Sequence, residues 1–223
     1  YELASRKIGA KIKHIPLKNW NLDIDKILKK LDKSDAIFLC NPNNPTGIFT
    51  YQLIERLIEK IDESIKILID ESFIELVDEI KCARSFIDKV NEFQNIVVLR
   101  SMTKSFGLAG LRLGYCVSHP SIARKISNYK ITWNVNGLAQ LAGVTALEDL
   151  SHLRRAQKMI RVERKFMHDV LNNKLKSFSA YDSDVNYYLI QTRNRNSTLL
   201  RDLLLERNGI LVRDCSDFKG MND

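Results

Sequence analysis

The stretch Arg100–Tyr115, which reads RSMTKSFGLAGLRLGY, follows the apolar run Ile96–Leu99 and is the most informative part of the chain. After Arg100 it combines serine and threonine hydroxyls, one lysine, three glycines and the arginine Arg112, which suits a loop that wraps a phosphate with backbone N–H and guanidinium donors. The order Gly-x-x-x-x-Gly-Lys is absent, so it is not a Walker loop. Lys104 lies between hydroxyls at a predicted strand-to-loop corner. Burial there would favour its neutral, nucleophilic form and make it a candidate for bonding a carbonyl carbon.

Two upstream segments also place polar groups directly after an apolar run. The run ending at Cys40 is followed by NPNNPTG at 41–47, and the run Ile67–Ile69 is followed by DESF at 70–73. Carboxyl ends of parallel strands meet at one edge of a sheet, where ligands bind. The first segment is also consistent with a purely structural loop, and Asp70 with a helix N-cap. If Asp70 is buried, its charge requires a cationic partner.

The first 118 residues alternate short β-type runs with helical patterns, which predicts an α/β fold with a mostly parallel sheet. Predicted strands cover 11–16, 35–40, 66–70, 96–100 and 113–117, and predicted helices cover 23–31 and 50–61, the second capped by Thr50.

Beyond Pro120 the pattern becomes helical, over 121–131, 137–149 and 150–175, and then returns to a partial α/β unit. That unit has predicted strands at 186–192 and 210–213 around a helix at 197–208, which Gly209 ends. We therefore expect a large domain at 1–132, followed by a helical connector and partial small domain at 133–223.

Composition limits the classes of function. The chain has 223 residues with a net charge of +8 and 44% hydrophobic residues, which indicates an ordinary globular protein. Its four cysteines are far apart and form no metal-binding pattern, and no apolar run is long enough to cross a membrane, so a reduced cytoplasmic protein without a metal is expected. A basic stripe at 154–165 favours a solvated helix face over a phosphate or nucleic-acid surface.

These motifs and their spacing resemble the pyridoxal-phosphate (PLP) enzymes of the aspartate aminotransferase fold. The resemblance rests on NPNNPTG, on DESF about 26 residues later, and on Ser-x-Thr-Lys with an arginine eight residues after the lysine. It covers nearly the whole chain. Its details are similar to the subgroup that holds histidinol-phosphate aminotransferase and threonine-phosphate decarboxylase.

The resemblance implies a role for each matching residue. Lys104 would bond PLP and later move protons at the substrate α-carbon, Asp70 would pair with the pyridinium nitrogen, and Asn44 would donate to the ring's 3-oxygen. Ser101, Thr103 and Arg112 would hold the cofactor phosphate. A substrate-carboxylate arginine and a second phosphate loop would lie outside Tyr1–Asp223, and Arg213 is not expected to replace that arginine.

Three departures favour the decarboxylase. Phe73 stands where most of these aminotransferases have tyrosine, Thr103 where they more often have serine, and RDCS follows at 213–216. The expected reaction converts O-phospho-L-threonine to (R)-1-amino-2-propanol O-2-phosphate and CO2. The alternatives are a histidinol-phosphate aminotransferase or related class I/II aminotransferase, and a non-catalytic fragment or binding module.

The resemblance also implies a small phosphorylated amino acid or amine as substrate and a homodimer. A nucleic-acid or membrane partner is not expected. Trp133 is consistent equally with the substrate pocket and with the core.

Overall fold

The computed structural model describes residues 1–31, 36–77, 83–193, 196–218 and 221. Its main feature is a four-stranded sheet in the order β1-β2-β3-β4. The first three strands are parallel and β4 runs antiparallel to β3, which confirms the predicted α/β fold with a mostly parallel sheet. The strands are Ala36–Cys40 (β1), Lys66–Asp70 (β2), Ile96–Ser101 (β3) and Gly114–Ser118 (β4). Asp35, where the predicted strand 35–40 begins, lies outside the described residues.

Branched apolar residues give the central strands a core that holds the sheet. Ile67, Ile69, Ile96 and Val98 are completely buried in one core cluster. Burial alternates along β1 and β2, so this core covers one face of these strands. Helix Tyr51–Ile58 contributes Ile54 and Leu57 to the same core. This packing fixes the strand ends that carry the polar motifs.

Seven α-helices occur among the described residues. Thr50 precedes α3, as predicted, but its side chain makes no capping bond and the helix ends three residues before the predicted Ile61. The helices are Glu2–Lys7 (α1), Ile24–Leu31 (α2), Tyr51–Ile58 (α3), Pro120–Ser127 (α4), Gly137–Glu148 (α5), Leu150–Asp169 (α6) and Ser197–Asn208 (α7).

The second half contains the long helix α6 and a small β unit. Helix α6 continues into a π-helical turn at Val170–Lys174, and strands Phe178–Ala180 (β5) and Ile190–Thr192 (β6) pair in antiparallel fashion. The C-cap Gly209 has φ of 67°, which confirms its predicted role in ending α7. The boundary between residues 132 and 133 stays a prediction.

Two predicted strands are wrong because the described chain offers them no partner. Residues 11–16 form no backbone ladder, and a groove of about 890 Å³ lies between them and the outer edge of β1. Residues 210–213 are likewise outside any described sheet, and the apolar side chains of Ile210 and Leu211 are exposed. An apolar alternating pattern specifies a face, but a strand also needs a neighbouring backbone.

No helix among the described residues is long and apolar enough to span a membrane.

Candidate active site

The carboxyl ends of β1, β2 and β3 bring the three sequence motifs to one edge of the sheet. Cys40 stands opposite Asp70 in the β1–β2 register, and Asp70 stands opposite Leu99 in the β2–β3 register. The ladder continues beyond the strands, because Asn41 N donates to Asp70 O (2.9 Å) and Glu71 N donates to Leu99 O (2.9 Å). The expected convergence of the motifs is therefore present in the fold.

Asp70 ends β2 with its carboxylate hydrogen-bonded by neutral groups. Its Oδ1 accepts from Ser72 N (2.9 Å), and its Oδ2 accepts from the Tyr1 hydroxyl. Among the described residues no cation pairs with Asp70, and its two hydrogen-bond donors are neutral. Its expected pairing with a cationic group of the cofactor stays a prediction. Burial, followed by the hydrogen bond to Asp70, raises the pKa of Tyr1.

The loop after β1 is rigid and carries Asn44 at an exposed position. Asn43 braces it, since Asn43 N donates to Ile48 O (2.9 Å) and its Nδ2 donates to Thr46 Oγ1 (3.0 Å). Asn41 is completely buried, with its Oδ1 accepting from Thr50 N (2.8 Å). The loop therefore presents Asn44 beyond the carboxyl end of β1, and its contact with a cofactor stays a prediction.

Lys104 lies in a compact turn after β3 but is exposed, so the predicted apolar corner is wrong. The turn closes through Gly107 N to Lys104 O (3.3 Å) and Leu108 N to Met102 O (3.3 Å). The Lys104 ammonium lies 5.7 Å from the centroid of the Phe73 ring, within cation–π range. No described carboxylate pairs with it, which leaves the amine available to a ligand.

The expected phosphate-binding groups flank this turn. Ser101 Oγ accepts from Thr103 N (3.2 Å), so the Ser101 O–H is still free to donate. Arg112 is exposed, has φ of 56°, and donates from Nη1 to Ala109 O (3.0 Å). That bond uses one of five guanidinium N–H groups. These residues precede and follow the Lys104 turn along the chain, and their contact with a phosphate stays a prediction.

Aromatic side chains from two parts of the chain form a wall beside Lys104. Tyr187 packs edge-to-face on Phe73 with ring centroids 4.8 Å apart, and its hydroxyl donates to Asn43 O (3.1 Å). Burial raises the pKa of Tyr187, and the nearby Cys40 and Asp70 raise it further. The segment following β5 thus reaches the candidate site.

Sequence reasoning missed several of the residues that support the site. Tyr187 has no recognisable motif around it, and neither has His152, whose Nε2 donates to the carbonyl of Ser105 (3.0 Å). Arg100 is interpreted from sequence only as the start of the Lys104 loop. The sequence offered a signal only for Arg100, which is a charged residue at the end of the apolar run Ile96–Leu99. Glu71 faces away from Asp70, because Glu71 binds Arg100 in the interior. Trp133 is 94% exposed, so the core interpretation of this residue is wrong.

A groove elsewhere on the molecule is not centred on Lys104. It has a volume of about 890 Å³ and is lined by the segment after α1 and by β1, with Tyr1, Cys40 and Asn43 on its border. Lys104, Asp70 and Arg112 do not line it. The chemistry of the side chains, rather than cavity size, locates the candidate active site.

The groups at this edge fit PLP. An unpaired lysine suits an aldehyde carbon, a carboxylate without a protein cation suits a pyridinium nitrogen, and hydroxyl and guanidinium donors suit a phosphate. The described residues contain no cluster of three or more metal-ligating side chains. An open, mostly parallel α/β sheet that carries such groups at its carboxyl edge is the arrangement of a ligand-binding α/β protein.

Comparison with known families agrees, since residues 1–220 match aminotransferase class I and II. The chain belongs to this family, and the family assignment supports PLP as its cofactor.

Individual relatives match all or most of this chain. It is 33% identical over 228 residues to histidinol-phosphate aminotransferase from Methanocaldococcus jannaschii, covering 100% of this chain and 59% of that protein. Histidinol-phosphate aminotransferase from Clostridium acetobutylicum superposes with a TM-score of 0.91 at 29% identity, covering 99% of this chain and 66% of that one. A decarboxylase from Sulfurospirillum multivorans superposes with a TM-score of 0.80 at 27% identity, covering 91% and 60%. The chain thus spans about 60% of the length of the curated relatives it matches.

Proposed function

We propose that this chain is the main part of a PLP-dependent threonine-phosphate decarboxylase. The reaction removes the α-carboxylate of O-phospho-L-threonine as CO2 and leaves (R)-1-amino-2-propanol O-2-phosphate. The observation that carries the proposal is Phe73 at the active site, 5.7 Å from the Lys104 ammonium. The resemblance leads us to expect tyrosine there in most of the aminotransferases.

Further support comes from two other positions and one similar structure. Thr103 precedes the lysine, and RDCS occupies 213–216. Both features resemble the decarboxylase more than the aminotransferases. The Sulfurospirillum multivorans protein of similar fold is itself described as a decarboxylase.

The chain's own residues would divide the work as follows. Asp70 accepts a hydrogen bond from the cofactor's ring nitrogen, and Asn44 donates to the ring's 3-oxygen. Bound PLP supplies an electron sink for the pair left when a bond to the α-carbon breaks. Lys104 delivers the proton that replaces the lost carboxylate at the α-carbon, which balances the reaction. Ser101, Thr103 and Arg112 hold the phosphate of the cofactor.

A second candidate is amino transfer between histidinol phosphate and 2-oxoglutarate. Relatives that are 32–35% identical to this chain carry the name histidinol-phosphate aminotransferase, and this observation favours the candidate. Both substrates carry a phosphate, so the net charge of +8 is consistent with either reaction.

Parallel assays of the full-length protein with PLP test the proposal. We expect CO2 release from O-phospho-L-threonine, with a visible absorbance band that Lys104→Ala removes. Formation of glutamate from 2-oxoglutarate, with the amino group taken from histidinol phosphate and without CO2 release, would establish the aminotransferase instead. A full-length protein that shows neither a band nor either activity would leave the non-catalytic alternative.

We also propose that a second copy of the protein covers the exposed apolar face of α5. Leu138, Leu141, Val144 and Leu147 are all exposed on this helix, whereas its opposite face buries Ala139 and Gly143. A helix that is apolar on both faces is normally buried on both.

The cytoplasmic location stays a prediction that cell fractionation would test.

A further inference from the structure

A cluster of buried charges lies behind the candidate active site. It consists of Glu71, Arg100 and Glu75, which we call the buried triad. Glu71 is completely buried, and the side chains of Arg100 and Glu75 are 11% and 13% exposed. Arg100 donates from Nε to Glu71 Oε2 (3.0 Å) and from Nη1 to Glu75 Oε1. Burial of so many charges is costly unless each one has a partner.

The triad connects the strand ends that carry the two main site motifs. Glu71 directly follows Asp70 at the end of β2, and Arg100 directly precedes Ser101 at the end of β3. Side chains alternate across a sheet, so the triad occupies the face opposite Asp70. Its contacts fix the spacing of the two strand ends without using any atom of the cofactor-binding set.

Glu71 is held from two further positions. Its Oε1 accepts from Phe86 N (2.8 Å) and its Oε2 accepts from Ser85 Oγ (2.7 Å). Burial raises the pKa of Glu71, although its bonds to Phe86, Arg100 and Ser85 oppose that rise. With every oxygen of Glu71 engaged, Arg100 has a fixed anchor on the β2 side.

Glu75 extends the network to the residue that follows Lys104. Ser105 is buried, and its hydroxyl donates to Glu75 Oε2 (3.3 Å). The Ser105 carbonyl accepts from Nε2 of His152 on α6 (3.0 Å), and Gln157 of the same helix donates to Glu75 O (2.9 Å). Glu75 is therefore the point where the strand ends, the Lys104 turn and α6 meet.

We propose that Glu75 is a positioning residue that holds the Lys104 turn in register with Asp70. Arg100 binds one of its carboxylate oxygens and Ser105 the other, so movement of the Lys104 backbone relative to β2 would break a buried bond. The inference rests on the proposed covalent role of Lys104. Glu75 touches neither cofactor nor substrate and acts through Ser105.

The test measures how fast the full-length protein captures PLP, without substrate, from the growth of the visible band. We expect Glu75→Ala to slow capture roughly 10- to 100-fold, because displacement of a reacting group by about 1 Å has effects of this size. Ser105→Ala should slow it in the same direction but less, and the double variant should lose less than the product of the two effects. Glu75→Gln, which keeps an acceptor for Ser105, should restore part of the rate. In turnover assays kcat should fall while KM stays within about twofold.

Two control variants separate positioning from general stability. Asn95→Ala removes a buried bond to Ile65 O (2.9 Å) at the opposite end of β3, and Glu92→Gln removes an exposed carboxylate that pairs with Lys89 (2.8 Å). Both should capture PLP at the wild-type rate, even if Asn95→Ala lowers the melting temperature as much as Glu75→Ala does.

A wild-type capture rate in both Glu75→Ala and Ser105→Ala would overturn the inference, as would equal slowing in Asn95→Ala. If Glu75→Ala does not fold, the Ser105→Ala result decides. Survival of the band in Lys104→Ala would refute the proposed function itself, which is a different result from an unaffected Glu75 variant.

Discussion

At the scale of single residues, the site depends on which face of a strand end each side chain occupies. Asp70 and Glu71 are neighbours in sequence, but the first lies at the cofactor edge and the second binds Arg100 in the interior. Strand alternation made this division predictable. The partner of Glu71 was not predictable, because the Arg100 contact depends on the β2–β3 register and on the turn that carries Glu75.

Replacing Asp70 should weaken cofactor binding. Asp70→Asn removes the charge that would pair with the pyridinium nitrogen, and a hydrogen bond to a charged group contributes about 1.5–3 kcal/mol. We therefore expect PLP affinity to fall about 10- to 100-fold in an equilibrium titration. Asp62→Asn is a matched control, because exposed Asp62 also accepts from the N–H two residues ahead (Ser64, 2.9 Å). Equal PLP affinity in the two variants would contradict the role of Asp70.

The thiol of Cys40 should react slowly in the native protein. Burial, and secondly the neighbouring Asp70, raise its pKa to about 12, and the thiolate is the reactive form. We expect iodoacetamide at about pH 8 to label Cys40 roughly tenfold or more slowly than exposed Cys116. Peptide mass spectrometry would measure both rates. Asp70→Asn should accelerate Cys40 labelling, and unchanged labelling would show that the carboxylate does not face the thiol.

At the scale of elements, apolar runs identified the strands that have neighbours and failed where neighbours were absent. The prediction for 66–70 agrees with β2, and that for 197–208 agrees with α7. Residues 11–16 and 210–213 carry the same kind of pattern but pair with no described strand. Strand β5 was missed because three residues are too few for a pattern. Pairing is a property of tertiary structure, which periodicity does not contain.

Docking of the segment after β5 on the NPNNPTG loop should depend on Gly47. A Cβ at this position would lie 2.1 Å from Ser183 Oγ and 2.9 Å from Tyr187 O, and φ is +72°. We expect Gly47→Ala to lower the free energy of unfolding by about 2–5 kcal/mol, from backbone strain plus overpacking. Denaturant titration would measure the change.

Gly209 offers a control for the strain alone. It has nearly the same φ, +67°, but a Cβ there would meet nothing within 4 Å. Gly209→Ala should therefore cost only about 1–2 kcal/mol. Equal losses in the two variants would mean that the Gly47 contact contributes nothing.

At the scale of the whole molecule, the chain combines a well-buried sheet with a broad exposed apolar surface on its helical half. The sheet core and the edge that carries Asn44, Asp70 and Lys104 followed from sequence patterns and from the resemblance. The aromatic wall and the buried triad did not, because residues far apart in sequence build them. Tyr187 and Phe73 are 114 positions apart (187 − 73) and yet their rings are in contact.

The proposed dimer should depend on the exposed face of α5. Leu141→Glu places a charge on a residue that is 69% exposed here and that the second copy would bury. We expect sedimentation analysis to show a shift of the full-length protein from dimer to monomer. Leu199→Glu on α7, at a leucine that is 54% exposed, should leave the dimer intact. If the Leu141→Glu variant remains a dimer, the exposed face of α5 is not part of the dimer interface.

The central claim is that Lys104 is the residue that bonds the cofactor, and chemical trapping tests it most directly. The full-length protein is incubated with PLP, reduced with borohydride and digested, and the modified lysine is identified by mass spectrometry. We predict a phosphopyridoxyl group on Lys104 and no comparable modification of exposed lysines such as Lys158. Reduction products spread over surface lysines, or located on a different single lysine, would contradict the account.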